Sequence, residues 1–282
     1  MKILAEIRRA LAAQKDESGQ WPLLQILEIL NPVNPSPDPP KIIKEIRITM
    51  DNPRSQWNAR QTRLRELLGK ADRFAEAIAL CLEQHAMVHA AAVSGSDEPT
   101  FEDELWEGLN ESGFRTLPTP SDEETIAWGI WHISRIEDIT MNLLVAGEDQ
   151  LFDAGWQERL KVDVRDTGNA MTAAEMLAFS AAVDMMELRN YRAAVGRKTR
   201  GIIRGLTPPD LKRKMNPAAL QRILAEGAVL DVPDARWLVD FWGRKNVAGL
   251  LLMPATRHPL VHLNEALRVK AKCRAGRVRT GS

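Results

Sequence analysis

The chain has 282 residues, 44% of them apolar, which is enough for one large or two modest domains with a real core. Its 38 basic and 38 acidic residues cancel, which excludes overall charge as a route to nucleic acid, a membrane surface or acidic substrates. Two cysteines, Cys81 and Cys273, exclude a disulfide framework and point to a reducing, cytoplasmic compartment.

The first segment, "MKILAEIRRALAAQ", carries Glu6, Arg8 and Arg9 where a signal peptide needs an apolar run. The longest apolar stretch, residues 247–255, is too short to span a bilayer. Residues 31–41, "NPVNPSPDPPK", hold five prolines and read as an extended linker. Residues 41–50 alternate apolar and charged side chains like a small strand, and Met50 opens a plausible start of the compact part. Residues 1–50 are therefore expected to be an appendage, or an upstream translation artefact. Residues 51–275 would be the folded domain and 276–282 a basic tail.

From about residue 56 the pattern is helical. In 71–93, Phe74, Ile78, Cys81, His85, Val88 and Ala92 form one apolar stripe. Ser121 and Glu124 have capping-box spacing and open a second helix that ends at Gly147. Thr172 and Glu175 open a third, expected to run unbroken to about Gly205 with Tyr191, Val195, Thr199 and Ile202 on its stripe. After a break at "TPPD" (207–210), Asn216-Pro217 starts a short helix that stops near Gly227. Short helices are expected over 234–242 and 245–253, and the last helix starts at Thr256. Two connections, 95–120 and 148–170, are long, and the second lets helices two and three run in the same direction. The fold class is all-α: a bundle of four main helices with a long crossover and extra short helices.

In "TRHPLVHLNEALR" (256–268), Thr256 as N-cap puts Pro259 in the first turn, where its missing N–H has no partner to lose. His258 and His262 then share one face, the spacing by which a helix offers two imidazoles to one metal ion. Glu265 sits close enough to serve as acceptor for a ligand histidine. All five histidines fall on expected helices, and four of them form two HxxxH pairs. His132, with Trp128, Ile136 and Ile139 on its side of the helix, faces the interior. Three neutral imidazoles would make an open metal site, with either His132 or the His85/His89 pair completing it. Cys81, His85 and His89 together read either as a soft-metal face or, preferably, as a buried inert thiol beside two packing histidines.

The segments "TIAWGIWHISRIEDITMNLL" (125–144) and "MPATRHPLVHLNEALR" (253–268), with "DTGNAMTAAEM" and "YRAAVG" between them, resemble the DinB-like group of metalloenzymes over about residues 56–275. The resemblance implies a four-helix bundle with one metal ion, held by a histidine of the second helix and an HxxxH pair of the last. Here those are His132, His258 and His262, so the family pattern favours His132 as third ligand. It also implies a homodimer. Better-understood members transfer low-molecular-weight thiols or isomerise substrates with thiol help. The stretch 207–245 is longer than a minimal bundle needs and is expected to reshape the mouth of the site.

A divalent ion, zinc or nickel, on three histidines has an open position for water or an incoming thiol, which suggests hydrolysis or thiol transfer on a small substrate. A thiol co-substrate belongs to the second route. The alternative is a non-catalytic metal-binding protein of stress response or interaction. Glu137 and Asp138 read as surface or interhelix ion pairs, and Tyr191 as a core residue with a satisfied hydroxyl or a pocket donor. Residues 97–124 hold ten acidic residues against Arg115 alone and read as a solvated connection. The six basic residues from Arg268 onward suit a helix C-terminus and a solvated end. With no aromatic interleaving or reader motif, they argue against nucleic-acid binding.

Overall fold

The structure, a computed structural model, describes residues 52–119 and 124–280, with side chains to residue 274. The expected appendage, its linker and strand, and the Ser121 cap lie outside the described residues. Two compact units are distinguished, Met1–Ala59 and Arg60–Ser282. Of the first, residues 52–59 are described and begin the helix Pro53–Leu68, with Asn52 Oδ1 accepting from the Arg54 amide at 2.9 Å. Everything below concerns the second unit.

Its four main helices are α1 (Phe74–Met87), α2 (Ile126–Asp138, continued as a wider π-helical stretch to Ala146), α3 (Met185–Gly205) and α4 (His258–Thr280). α2 packs on both α3 and α4, and α1 packs on α3 and on the residues leading into α4. The described residues are all-α, and this neighbour order is consistent with a four-helix bundle. α2 is the central rod: every residue of Ile126–Asp138 except Trp128 is buried. A helix apolar enough to be covered on all sides must lie inside. It starts where Thr125 Oγ1 accepts from the Trp128 amide at 3.0 Å and, with its continuation, ends as expected at Gly147, whose φ is +71°.

Four expectations are corrected. The stripe over 71–93 is not one helix. The chain unwinds over 88–90, where Arg192 donates to the freed Val88 carbonyl at 2.9 Å, so His89 lies just past the helix end. The helix over 172–205 breaks into Ala173–Ala182 and α3. Arg115 donates to the carbonyls of Ser180, Ala181 and Val183, and Asp184 Oδ1 accepts from the amides of Met186 and Glu187. One cation thus serves the old C-terminus while one carboxylate caps the new N-terminus.

Thr256 is not an N-cap. The chain is already helical from Val247, passes through a π-helical turn Met253–Arg257 and enters α4 without a break. Thr256 Oγ1 donates to the Leu251 carbonyl at 2.8 Å and accepts from Gln61 at 2.8 Å. Pro259 is accommodated by this widened turn, where the regular ladder is already interrupted. Finally, 207–245 does not sit at the histidines. Pro217–Ala225 packs on 139–146, beyond His132, and Ile223, Leu238 and Trp242 fill the core there.

Asp138 ties three segments together inside this core. Its carboxylate accepts from Arg135 at 2.9 Å, Tyr191 Oη at 2.6 Å, Asn142 at 2.7 Å, and the amides of Leu151 and Phe152 at 2.8 and 3.0 Å. Tyr191 is thus a core residue with a satisfied hydroxyl. Replacing Asp138 by Ala strands Arg135 and is expected to cost about 3–5 kcal/mol, read as a lower urea midpoint at constant m-value. A loss below about 1 kcal/mol would show that water or neighbouring groups replace the carboxylate.

Candidate metal centre

α2 and α4 bring His132, His258 and His262 together. Their ring centroids are 5.0 Å (His132–His258), 4.8 Å (His132–His262) and 4.7 Å (His258–His262) apart. His132 is buried, while His258 and His262 are half-buried, so the cluster opens on the α4 side. His132 Nδ1 lies 2.9 Å from the Thr167 carbonyl, and a carbonyl only accepts, so Nδ1 carries the proton and Nε2 presents a lone pair. That lone pair faces His258 Nε2 at 3.2 Å, close to the roughly 3.3 Å between two imidazole nitrogens sharing one tetrahedral ion. Trp128 stacks on the His132 ring at 4.7 Å and meets His262 edge-on at 6.2 Å, closing one side.

The crossover sets this geometry. Carbonyls of four consecutive residues accept from one stripe of α2: Arg165 from Arg135 Nε, Asp166 from Trp131 Nε1, Thr167 from His132, and Gly168 from Trp128 Nε1, at 2.9 to 3.2 Å. Gly168 has φ +77°, and a Cβ there would stand 2.7 Å from Trp128 Nε1, so only glycine fits.

His262 Nδ1 lies 2.9 Å from Glu265 Oε2, the contact expected from the three-residue spacing. It also lies 3.5 Å from Glu124 Oε1, a residue that sequence reasoning assigned to a helix cap. Glu124 stands just before the α2 N-cap and eight positions before His132, a spacing too indirect to flag it. The atoms His132/His258/His262 and Glu124/His262/Glu265 form two groups with spacing that could hold a cation. Imidazoles with one Nδ1 bonded to a carbonyl and another beside a carboxylate suit a divalent ion of borderline softness.

Protonation differs sharply across the cluster. Burial, reinforced by the neighbouring His262, pushes His132 down to about 3. Burial also holds His258 well below the usual histidine range, with His132 and His262 adding to it. Burial alone would lower His262 too, but Glu124 and Glu265 outweigh it and raise it to about 9. Burial raises Glu124, while the hydrogen bond from His262 lowers Glu265.

The other histidines lie elsewhere. His85 and His89 stack at 4.2 Å and meet Glu137, not Cys81. Burial pushes the Cys81 thiol up to about 12, which makes it inert. Glu137 pairs across helices with Arg192 of α3, whereas Asp138 pairs with Arg135 of its own helix, and both carboxylates are fully buried, not at the surface. The acidic connection is likewise partly internal: Glu102 is buried, and Asp103 closes a capping box with Thr100. The basic end is also less free than expected, since α4 runs to Thr280 and Lys270 donates to the Glu104 carbonyl at 2.6 Å.

In the metal-free chain, the folded pKa of His262 lies above its unfolded value of about 6.5. Its stabilisation is complete below that value and is lost as pH rises through about 9. His132 acts oppositely: between about 6.5 and about 3 the unfolded chain takes up a proton that the folded chain refuses, so acid destabilises. NMR titration of the imidazoles should place the His262 midpoint near 9, and Glu265→Gln should lower it. A wild-type midpoint at or below about 6.5 would show that the two carboxylates do not control this ring.

No curated protein matches the sequence. No helix among the described residues is long and apolar enough to cross a membrane. The family model of the DinB superfamily matches residues 102–256, more than half of the chain, including α2 with His132 and ending two residues before His258. With its all-α fold and its histidine groups able to hold a metal ion, the chain belongs to the DinB superfamily.

Proposed function

We propose that His132, His258 and His262 hold one divalent ion, zinc or nickel, and that the chain is a cytoplasmic metal-dependent enzyme. Its reaction is transfer of a low-molecular-weight thiol to a small electrophilic substrate, or hydrolysis of a small substrate. One observation carries this reading: the proton of His132 is fixed on Nδ1 by the Thr167 carbonyl, so its Nε2 lone pair is turned toward the two rings of α4. A core histidine kept only for packing has no need of such convergence.

When bound, the ion supplies Lewis acidity that lowers the pKa of a coordinated water or thiol. The chain supplies the rest. Glu265 Oε2 lies 2.9 Å from His262 Nδ1, as an outer partner beside that ring. Glu124, half-buried beside the same nitrogen and raised by burial, is the carboxyl group suited to hold or take up a proton at Oε1. Trp128 covers the His132 ring and keeps water from that side. The partial exposure of His258 and His262 leaves the opposite side open to a small molecule.

The second reading, a non-catalytic metal-binding protein, shares the centre and differs only in turnover. Untagged protein should carry metal at this centre, and His258→Ala should lose it. Chelator should lower the melting temperature of the wild type and have no such effect through this centre in the variant. Glu265→Gln should weaken binding about 10–100-fold. Turnover of a thiol with an electrophile, or of an ester, that disappears in His258→Ala supports the enzyme. Stoichiometric metal without turnover supports the second reading, and metal content unchanged by His258→Ala overturns both.

A further inference from the structure

A second group of ligand atoms lies wholly inside the protein, on residues the proposed reaction does not use. His85 Nε2 is 2.9 Å from Glu137 Oε1, and His89 Nε2 is 3.1 and 2.9 Å from the two Glu137 oxygens. All three side chains are fully buried. Arg192 donates to Glu137 Oε2 at 2.8 Å, so that oxygen is shared between the guanidinium and His89, while Oε1 meets both histidines. On the far side of the His89 ring, Nδ1 faces Glu102 Oε2 at 3.9 Å, and neither this Nδ1 nor that of His85 has a hydrogen-bond partner. α3 makes room for the ring with a glycine: a Cβ on Gly196 would collide with His89.

His89 therefore has a carboxylate on each side of one ring. A proton on Nε2 leaves the Nδ1 lone pair facing Glu102, and a proton on Nδ1 leaves the Nε2 lone pair facing both oxygens of Glu137. A doubly protonated ring would satisfy both, but it would add a buried charge among groups that already include Arg192. Glu102 accepts from Trp106 Nε1 at 3.1 Å and lies 3.4 Å from Arg192 Nε, so one guanidinium faces two carboxylates. A cation on Nε2 resolves the placement of the His89 proton, since the neutral ring then keeps it on Nδ1, facing Glu102, and gives its Nε2 lone pair to the ion.

We propose that His85 Nε2, His89 Nε2 and Glu137 Oε1 hold a second, buried divalent cation of the zinc type, with Glu102 and Arg192 as its outer partners. Two imidazoles and a carboxylate are a donor set that zinc accepts. The His89 Nδ1 proton then points at Glu102, and Arg192 steadies the second oxygen of Glu137, the outer support that ligand histidines and carboxylates ordinarily have. The fully buried position makes this a structural ion, taken up as the chain folds and slow to leave. The proposal does not depend on the three-histidine centre.

The test is elemental analysis of untagged protein grown with zinc: wild type, His258→Ala, His89→Gln and the double variant, each checked for native helicity. The expected zinc contents are two, one, one and none per chain. In wild type, chelator under native conditions should remove one equivalent, and the second should leave only on unfolding. His258→Ala retaining no metal overturns the proposal without relying on any buried variant to fold. A single ion lost in His258→Ala and kept in His89→Gln overturns this site and leaves the proposed enzyme standing. A single ion with the opposite pattern keeps this site and overturns the other centre.

Discussion

The run of four carbonyls at 165–168 is the constraint on which the centre depends. Trp128, Trp131, His132 and Arg135 lie at the helical spacing of one face, and each gives an N–H to the crossover backbone. A buried connection would otherwise hold unpaired carbonyls, each costing about 1–3 kcal/mol. Here side chains of the central helix satisfy them. The same contacts pin the crossover to α2, fix both tryptophans and set the tautomer of His132. Structure and chemistry are coupled at one bond, because the proton that satisfies Thr167 also frees the lone pair that faces α4.

Below that stripe the centre of the bundle is unusually polar. Consecutive residues Glu137 and Asp138 point to different partners, Arg192 of α3 for the first and Arg135 with Tyr191 for the second. Buried ion pairs of this kind add little net stability over apolar packing, but losing one member is costly. The two contacts that cross to α3, Glu137–Arg192 and Asp138–Tyr191, therefore disfavour other registers of α2 against α3. A one-residue slip would place a carboxylate against Ile136 or Ile139, both fully packed.

Much of this was legible in the sequence. The capping signals at 172–175 and 216–217, the stop at Gly147 and the inward face of His132 follow from local rules, and the structure keeps them. The HxxxH spacing puts His258 and His262 on one face whether the helix starts at Thr256 or, as it does, further upstream. Four-residue spacing survives any helix start upstream of 258. What was not legible depends on partners distant in sequence. The break at 183–184 needs Arg115, 65 to 68 residues away, to take the open carbonyls. The unwinding at 88–90 needs Arg192, 104 residues away. The burial of Glu137 and Glu102 needs the same guanidinium. Hydrophobic periodicity assigns charged residues to the surface by default, and a polar core defeats it.

The environments around the three histidines also bear on how a cation would be held. Three imidazoles within 5.0 Å cannot all be positively charged, and burial drives His132 and His258 to the neutral form. His262 alone is held protonated at neutral pH, by two carboxylates on its Nδ1 side. Those carboxylates lie on the Nδ1 side of the ring, so in the proposed reading the proton that a cation would displace is the one on Nε2, which leaves the ring neutral with Glu265 still beside Nδ1. In that reading two of the three histidines are neutral and ready at neutral pH, and the third gives up a proton to take the ion. In the proposed reading, Glu124 and Glu265 act on both states: they attract a proton to the empty centre and a metal ion to the filled one. This pair, more than any single histidine, sets the competition between them.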